Sequence, residues 1–377
     1  MSHHNVLRIG MVGFGSMGQT HSYAIHNLPY FYGELPFSAK VCALCTTSYE
    51  RSVSLCERYG LGTAVASFDE LIARDDIDVI DICTPNTLHF DMVIRALDAG
   101  KHVLCEKPLC ITPDEAARIA EAERSSGRIC GMVFNNRFMG PMLRAKQLID
   151  EGRLGRILSF RIAYEHNSST FPDKEPGWKQ TGAAGGGVLF DLGSHAIDLI
   201  RHLCGDFESV QGLSQIAFPA HGSWQTDADE AFYITAKLQS GACGTIIANK
   251  LATGVNDDLS LAIFGERGSI KYELMEPEWL YFYDNDRPAS PIGGERGFTR
   301  IECVGRFPAP GGNFPSPKAS VGWLRCHVES MYRYLSAVAT GTPFSPSLSD
   351  GAYVQAVMQA ALDSDRDGGV RKEVIVP

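Results

Sequence analysis

The 377-residue sequence predicts an α/β protein in two parts: an N-terminal doubly wound parallel sheet, residues 1–134, and a C-terminal α+β domain with an open, largely antiparallel sheet, residues 135–377. Three observations predict it. Short apolar runs alternate with helical patterns up to residue 134, a glycine-rich turn follows the first run, and farther on strand patterns succeed one another without helices between them. The length also exceeds what one hydrophobic core usually organises.

Residues 6–12, VLRIGMV, form an apolar run of strand length. Gly13, Phe14, Gly15, Ser16, Met17 and Gly18 follow, and then a helical stretch, QTHSYAIHNL. Strand, glycine turn and helix are the setting in which G-x-G-x-x-G signals a dinucleotide. Gly13 permits the tight turn, Gly15 lets the backbone approach a pyrophosphate, and Gly18 lets helix and strand pack closely. The helix N-terminus adds N–H groups and a positive dipole. The alternation continues with strands over 39–45, 62–66, 77–83, 101–107 and 128–134. Helices stand between them, one with Thr112 as N-cap and Pro113 in its first turn. Such a sheet is a Rossmann domain, and its ligands sit beyond the carboxyl ends of the strands. Those ends are Gly13–Gly18, Thr46–Ser48, Thr84–Asn86, Glu106–Pro108 and Asn135–Arg137.

After the second strand an acid would accept hydrogen bonds from the ribose hydroxyls of NAD. Thr46, Thr47 and Ser48 stand there instead, with Arg51 beyond. Hydroxyls and an arginine suit a 2′-phosphate, so the expected cofactor is NAD or NADP, with NADP favoured. Arg51 as a solvated helix residue is the open alternative.

From about residue 135 the period changes. PMLRAKQLIDEGRLG is an amphipathic helix and ILSFRIAYEH a half-buried strand. Residues 167–187 form a loop rich in Gly, Pro and Ser, and VLFDLGSHAIDLIRHLCG has helical spacing up to Gly205. ESVQGLSQIAF, EAFYITAKL, CGTIIANKLA, LSLAIFGERGSIKYEL and WLYFYD then follow as strands. Their succession implies antiparallel pairing, with helices on one face and the other left for a partner subunit. Residues 285–320 read as irregular, and 323–340 and 349–363 as closing helices.

Composition narrows the function. The chain carries 34 Lys+Arg against 44 Asp+Glu, a formal net charge of −10, and is 44% hydrophobic. This excludes a disordered, collagen-like or disulfide-scaffold protein. The acidic balance weighs against nucleic-acid and membrane-surface partners. No window of about 18 apolar residues predicts a transmembrane helix. The start, MSHHNVLRIG, lacks a signal-peptide core, and His3 and His4 read as a frayed end. Eleven scattered cysteines, an odd number, read as reduced thiols and place the protein in the cytoplasm. Cys42 and Cys45 spell C-x-x-C, but inside a strand pattern, where residues three apart point to opposite faces. With no metalloprotease helix, zinc quartet or calcium loop, no metal is expected.

Two places carry candidate chemistry. Lys107, in Glu106-Lys107-Pro108, falls where the fifth strand meets the cofactor crevice and can stabilise negative charge on a substrate oxygen; an ordinary surface lysine is the alternative. Asp191 and His195 stand four apart on a predicted helix and share a face. An imidazole with a carboxylate beside it can take a hydroxyl proton near neutral pH. From spacing alone an intrahelical Asp–His bond in a core explains the pair equally. Asp198, one turn on, reads as structural. The glycines of Ala183–Gly187 read as letting the backbone pass close to a ligand.

GFGSMG, DVIDICTPNTLHFDMVIRALDAGKHVLCEKPL and GGGVLFDLGSHAIDLI together resemble the glucose–fructose oxidoreductase/inositol dehydrogenase/rhizopine catabolism (Gfo/Idh/MocA) family over nearly the whole chain. The resemblance implies a hydroxyl–ketone oxidoreductase acting on a sugar, sugar derivative or cyclitol, assembled as a homodimer or homotetramer through the C-terminal sheet. By it, Lys107 touches substrate and nicotinamide, and Asp191 and His195 match the D-x-G-x-H pair, with His195 as acid/base. Thr84, Pro85, Asn86 and His89 line the nicotinamide side, and Glu106 positions the cofactor. Asn135 and Arg137 face substrate, Asn135 also the cofactor. Trp178 and Lys179 match a W-[RK] element near the cofactor or substrate, and Tyr164 is a further substrate candidate. The 166–182 loop and the 305–323 segment, with Asn313 and Trp323, would complete the pocket. In the expected mechanism His195 takes the hydroxyl proton as hydride leaves, Lys107 stabilises the oxygen, and Asp191 orients His195 or a neighbouring hydroxyl. A cofactor-dependent glycoside hydrolase and a non-catalytic cofactor-binding regulator are the alternative functions.

Overall fold

The computed structural model describes residues 5–170, 177–221, 224–312 and 314–376. The readings of His3, His4, Asn313 and the 171–176 part of the loop lie outside the described residues.

The apolar runs of the N-terminal part become β1 (Asn5–Val12), β2 (Phe37–Cys45), β3 (Thr63–Ala64), β4 (Val79–Ile82), β5 (His102–Cys105) and β6 (Cys130–Met132). All pair in parallel, in the order β3-β2-β1-β4-β5-β6. The order reverses beside β1, the place where such sheets bind ligands. The intervening helices are α1 (Ser16–Tyr32), α2 (Tyr49–Tyr59), α3 (Phe68–Ile72), α4 (His89–Asp98) and α5 (Pro113–Ser126). Their ends follow local chemistry. Ser48 caps α2 by accepting from the Arg51 N–H, and Gly60 ends it in the left-handed region. Thr112 and Glu115 close a reciprocal capping box on α5.

The second region opens with α6 (Gly140–Asp150) and β7 (Ile157–Glu165). The predicted helix from Val188 to Gly205 begins as a π-helical turn, Leu189–Gly193, and continues as α7 (Ser194–Cys204). Then come β8 (Phe207–Gln215), a small hairpin of β9 (Ala220–His221) and β10 (Trp224–Gln225), β11 (Ala231–Leu238), β12 (Cys243–Asn249), β13 (Asp258–Gly265), β14 (Gly268–Glu273), β15 (Trp279–Asp284) and β16 (Phe298–Glu302). With β17 (Lys372–Glu373), near the C-terminus, they build a nine-stranded sheet in the order β16-β15-β14-β13-β7-β12-β11-β8-β17. Only β7 and β12 are parallel. The strands alternate: Phe232, Ile234 and Ala236 are buried, while Tyr233 and Thr235 face out. β16 falls inside the stretch expected to be irregular. It is an edge strand with no buried residue, so it lacks the apolar alternation that would have marked it.

The closing helices are α8 (Leu324–Thr340) and α9 (Leu348–Arg366). Two compact units result: residues up to Asn135 together with Pro308–Gln355, and Asn136–Phe307 together with the residues from Ala356 onward. The sequence division at 134/135 carries no sign of the return of Pro308–Gln355. Its cause is apolar complementarity. Val328, Met331 and Leu335 of α8 share one core with Ile25, Leu28 and Phe31 of α1 and with Leu7 and Ile9 of β1. In the second unit a Cβ at Gly212 would stand 2.3 Å from the Ala361 carbonyl, so glycine lets α9 approach the sheet. All eleven cysteines are free. No helix among the described residues is long and apolar enough to cross a membrane.

Candidate active site

In the first unit the glycine turn has two kinds of glycine. Gly13 has a φ of +86°, and a Cβ on it would stand 2.5 Å from the Cys83 carbonyl oxygen; on Gly18 it would stand 2.6 Å from the Gly13 oxygen. Both are small for the protein's own sake. At Gly15, the N-cap of α1, an added Cβ would meet nothing within 4 Å. That open space lies beside the unpaired N–H groups of a 17-residue helix, with Ser16 exposed and Met17 half-buried there. A diphosphate fits this place by charge and by room.

Beyond β2, the Thr46 hydroxyl donates to the Ser48 carbonyl at 3.1 Å, and the Thr46 N–H donates to the Ser52 hydroxyl at 3.0 Å. Thr47, Ser48 and Arg51 are exposed, with Thr46 rather than an acid directly after the strand and Glu50, also exposed, in the first turn of α2. Beyond β4, Thr84 and Pro85 lead into a 3₁₀ turn starting at buried Asn86. His89 ties this segment to the E-K-P loop. Its Nε2 lies 2.9 Å from the Thr84 carbonyl and its Nδ1 2.9 Å from that of Pro108. Both partners are acceptors, but burial lowers the pKa of the ring. The neutral ring therefore donates to one carbonyl at a time.

The E-K-P loop stands on a buried charge network absent from the sequence reading. His21 of α1, 1% exposed, has Nδ1 3.0 Å from Asp81 Oδ1 and Nε2 3.1 Å from Glu106 Oε1. Glu106 Oε2 accepts the main-chain N–H of half-buried Lys107 at 3.0 Å. Burial alone would raise the Glu106 carboxyl, but the His21 bond and charge hold it below its ordinary value. Burial opposes the charge on His21, yet Asp81 and Cys83 carry its pKa well above normal. Cys83 is pushed up to about 12, first by burial and then by Asp81. Buried Asn135, beyond β6, donates through Nδ2 to Cys326 Sγ of α8. No sequence signal marked the partnership, since the two lie far apart along the chain.

The second unit gathers the other half of the candidates. The π-helical turn presents Asp191, and the first turn of α7 presents His195, 8% exposed. π-helical turns concentrate at functional sites. The Tyr164 ring on β7 lies 5.9 Å from that of His195. Asp191 is held by two ammonium groups: Lys179 Nζ reaches both carboxylate oxygens at 2.9 Å, and Lys250 Nζ reaches Oδ2 at 2.9 Å. Lys250, at the end of β12 and buried, was not legible in the sequence, because nothing nearby distinguishes it. Trp178 is exposed in the preceding 3₁₀ turn, with the Lys179 ammonium 5.8 Å from its ring centre. Arg137 donates through Nε to Asp198 Oδ2 at 2.8 Å and through Nη2 to Oδ1, both residues being buried.

The glycines before this turn are small for a reason other than ligand approach. A Cβ on Gly186 would stand 2.5 Å from the Lys179 carbonyl, and one on Gly187, at a φ of +106°, 2.1 Å from Asp229 Oδ1. Asp229 in turn accepts the Leu189 N–H at 2.8 Å. The closeness belongs to the protein's own capping of the π-helical turn.

Two family models match the chain. One, described as an oxidoreductase family with an NAD-binding Rossmann fold, covers residues 7–134. The other, the GFO/IDH/MocA C-terminal domain, covers 142–271. Levoglucosan dehydrogenase of Pseudarthrobacter phenanthrenivorans is 30% identical over 95% of this chain and 96% of its own. Glucose-6-phosphate 3-dehydrogenase of Bacillus subtilis is 26% identical over the same shares. A solved levoglucosan dehydrogenase in complex with NADH and levoglucosan superposes with a TM-score of 0.94 at 29% identity, covering 98% of this chain and 100% of that one.

Proposed function

This chain belongs to the Gfo/Idh/MocA family of NAD-binding oxidoreductases, and on that premise we propose that it interconverts a hydroxyl and a ketone on a sugar, sugar derivative or cyclitol. The observation that carries the reading is the second-unit cluster: an imidazole, His195, four residues after a carboxylate, Asp191, itself compensated by Lys179 and Lys250. Such a set handles a proton and orders neighbouring hydroxyls. The carbohydrate class follows from relatives whose names state levoglucosan and glucose 6-phosphate as substrates.

In this reading the turn Gly13–Gly18, Thr46–Ser48, Thr84–Asn86, His89, Glu106 and Asn135 hold the dinucleotide, with Trp178 and Lys179 near it. The nicotinamide, when bound, supplies the hydride acceptor or donor. A nitrogen of His195 takes the hydroxyl proton during oxidation and returns it in reduction. The Lys107 ammonium donates a hydrogen bond to the same oxygen and stabilises its developing charge. Asp191 accepts from a neighbouring substrate hydroxyl, while Tyr164, Asn135 and Arg137 line the substrate. Thr46 in place of an acid directly after β2, with Thr47 and Arg51 exposed nearby, favours NADP over NAD. We further infer a cytoplasmic homodimer or homotetramer joined through the open sheet face, where Leu213 is 62% exposed, with no nucleic-acid or membrane partner.

The test is a panel of sugars and cyclitols with NAD and with NADP, followed at about 340 nm. Reduction with at least one member is expected, at lower KM for NADP. In the active pair, His195→Ala and Lys107→Ala should each lose at least about a hundredfold in kcat while still binding cofactor. Wild-type turnover in both variants would reject the assignment. Product release without net absorbance change would replace it with cofactor-dependent hydrolysis.

A further inference from the structure

We propose that His21 is a positioning residue for this reaction: its ring, clamped between Asp81 and Glu106, orients the Glu106 carboxylate that holds the Lys107 main chain, and so sets where the Lys107 ammonium stands. The proposal rests on the reading of Lys107 as a substrate-facing group.

The geometry carries it. Each ring nitrogen of His21 faces a carboxylate, at 3.0 Å for Asp81 and 3.1 Å for Glu106. Ionised carboxylates only accept, so both bonds form together only when both nitrogens donate, which is the protonated ring. His21, Asp81 and Glu106 are 1%, 1% and 5% exposed. Burying three ionisable groups gains little stability over apolar residues of the same volume. What the trio adds is direction. Glu106 has its Oε1 on His21 and its Oε2 on the Lys107 N–H, so it cannot rotate without breaking one of the two. His89, bonded to Pro108, restrains the other side of the loop. The loop is thus restrained on both flanks of Lys107, by His21 through the Glu106 carboxylate and by His89 at the Pro108 carbonyl.

The groups facing His21 from the elements around it are Asp81 and Cys83 of the β4 segment, Glu106 after β5 and His327 of α8. His21, Asp81 and Cys83 also form a group whose donor atoms lie within 4.8 Å of one another, a spacing that a metal ion can use. Their mutual hydrogen bonds already account for that closeness.

The experiment compares wild type with His21→Gln, Glu106→Gln and the double variant, measuring kcat, KM, cofactor Kd and melting temperature on one active substrate pair. We expect each single variant to lose about tenfold or more in kcat. The double variant should be no worse in kcat than the poorer single one, and the cofactor Kd of His21→Gln should change less than about threefold. A merely structural role would lower the melting temperature and leave kcat per folded enzyme unchanged; that result, or kcat losses that add in the double variant, overturns the proposal. Stoichiometric metal in the purified protein, lost to a chelator together with activity, would overturn it as well. If His21→Gln does not fold, Glu106→Gln alone decides: unchanged kcat is a rejection. Lys107→Ala runs in parallel. Full activity there defeats the functional reading, whereas an inactive Lys107→Ala beside fully active His21 and Glu106 variants defeats only this proposal.

Discussion

His21 and His327 lie with ring centres 6.4 Å apart inside the dinucleotide-binding unit, and the same interior gives them opposite charge states. His21 touches two carboxylates and is held protonated. His327 has a buried Nε2 without a hydrogen-bond partner and is pulled down to about 3, first by burial and then by the charge on His21.

This difference predicts a pH signature in stability. An unfolded histidine takes up its proton near pH 6.5, whereas folded His327 does so only near 3. Between those values the unfolded state holds more protons, so His327 makes the fold lose stability as pH falls. His21 has the opposite sign: its contribution is complete below about 6.5 and is lost as pH rises through its raised folded value. In urea titrations, His327→Leu should remove about 1.4 kcal/mol per pH unit of acid-side loss between roughly pH 6 and 4. An unchanged slope would contradict the neutral state of His327.

The two kinds of glycine in the first turn separate folding from binding. Gly13→Ala forces a Cβ against the Cys83 carbonyl at a left-handed φ and should cost more than about 2 kcal/mol. Gly15→Ala meets no protein atom and should melt within about 2 °C of wild type. It should nevertheless bind NADH or NADPH at least about tenfold more weakly in a fluorescence titration, because the methyl group occupies the open space beside the helix N-terminus. Equal affinity would mean that the diphosphate lies elsewhere.

The two lysines on Asp191 should not be equivalent. Lys179 is about half exposed, its side chain at 47%, and Lys179→Met should change stability by less than about 1 kcal/mol. Lys250 is buried at 7%, so Lys250→Met should cost about 1–3 kcal/mol by leaving Asp191 with one cation. Both variants should raise KM for the sugar. Chemical denaturation with steady-state kinetics checks the ranking, and a reversed order of stability losses would refute it.

The open face of the nine-stranded sheet should govern assembly. Leu213 and Tyr233 are cross-strand partners on β8 and β11 and both are exposed. If that face joins subunits, Leu213→Lys with Tyr233→Lys should shift the species in analytical ultracentrifugation to monomer, leaving the melting profile of each unit cooperative. An oligomer of unchanged mass would place the interface elsewhere.

Much of the first unit was legible because its signals are local. Apolar runs, the glycine turn, and Thr112 with Pro113 each act within a few residues. The candidate cluster was legible where its groups stand close along the chain, as Asp191 and His195 do. It was hidden where partners meet across the chain. His21 looks like one more polar position on a helix until Asp81 and Glu106 appear on either side of it, and Lys250 looks like the end of a strand. Gly186 and Gly187 hide their surroundings for the same reason: their small size answers to the Lys179 carbonyl and to Asp229. The π-helical turn was read as ordinary helix because apolar spacing is nearly the same in both.

The return of α8 to the first unit has a consequence for biosynthesis. On the ribosome the first 135 residues emerge long before Val328, Met331 and Leu335, the side chains that cover Ile25, Leu28 and Phe31. Until residues 328–335 have emerged, the nascent dinucleotide-binding unit carries an uncovered oily stripe, a natural holding point for a chaperone. A fragment cut at residue 135 should therefore precipitate when expressed alone, whereas the same fragment fused through a flexible linker to residues 308–355 should stay in solution.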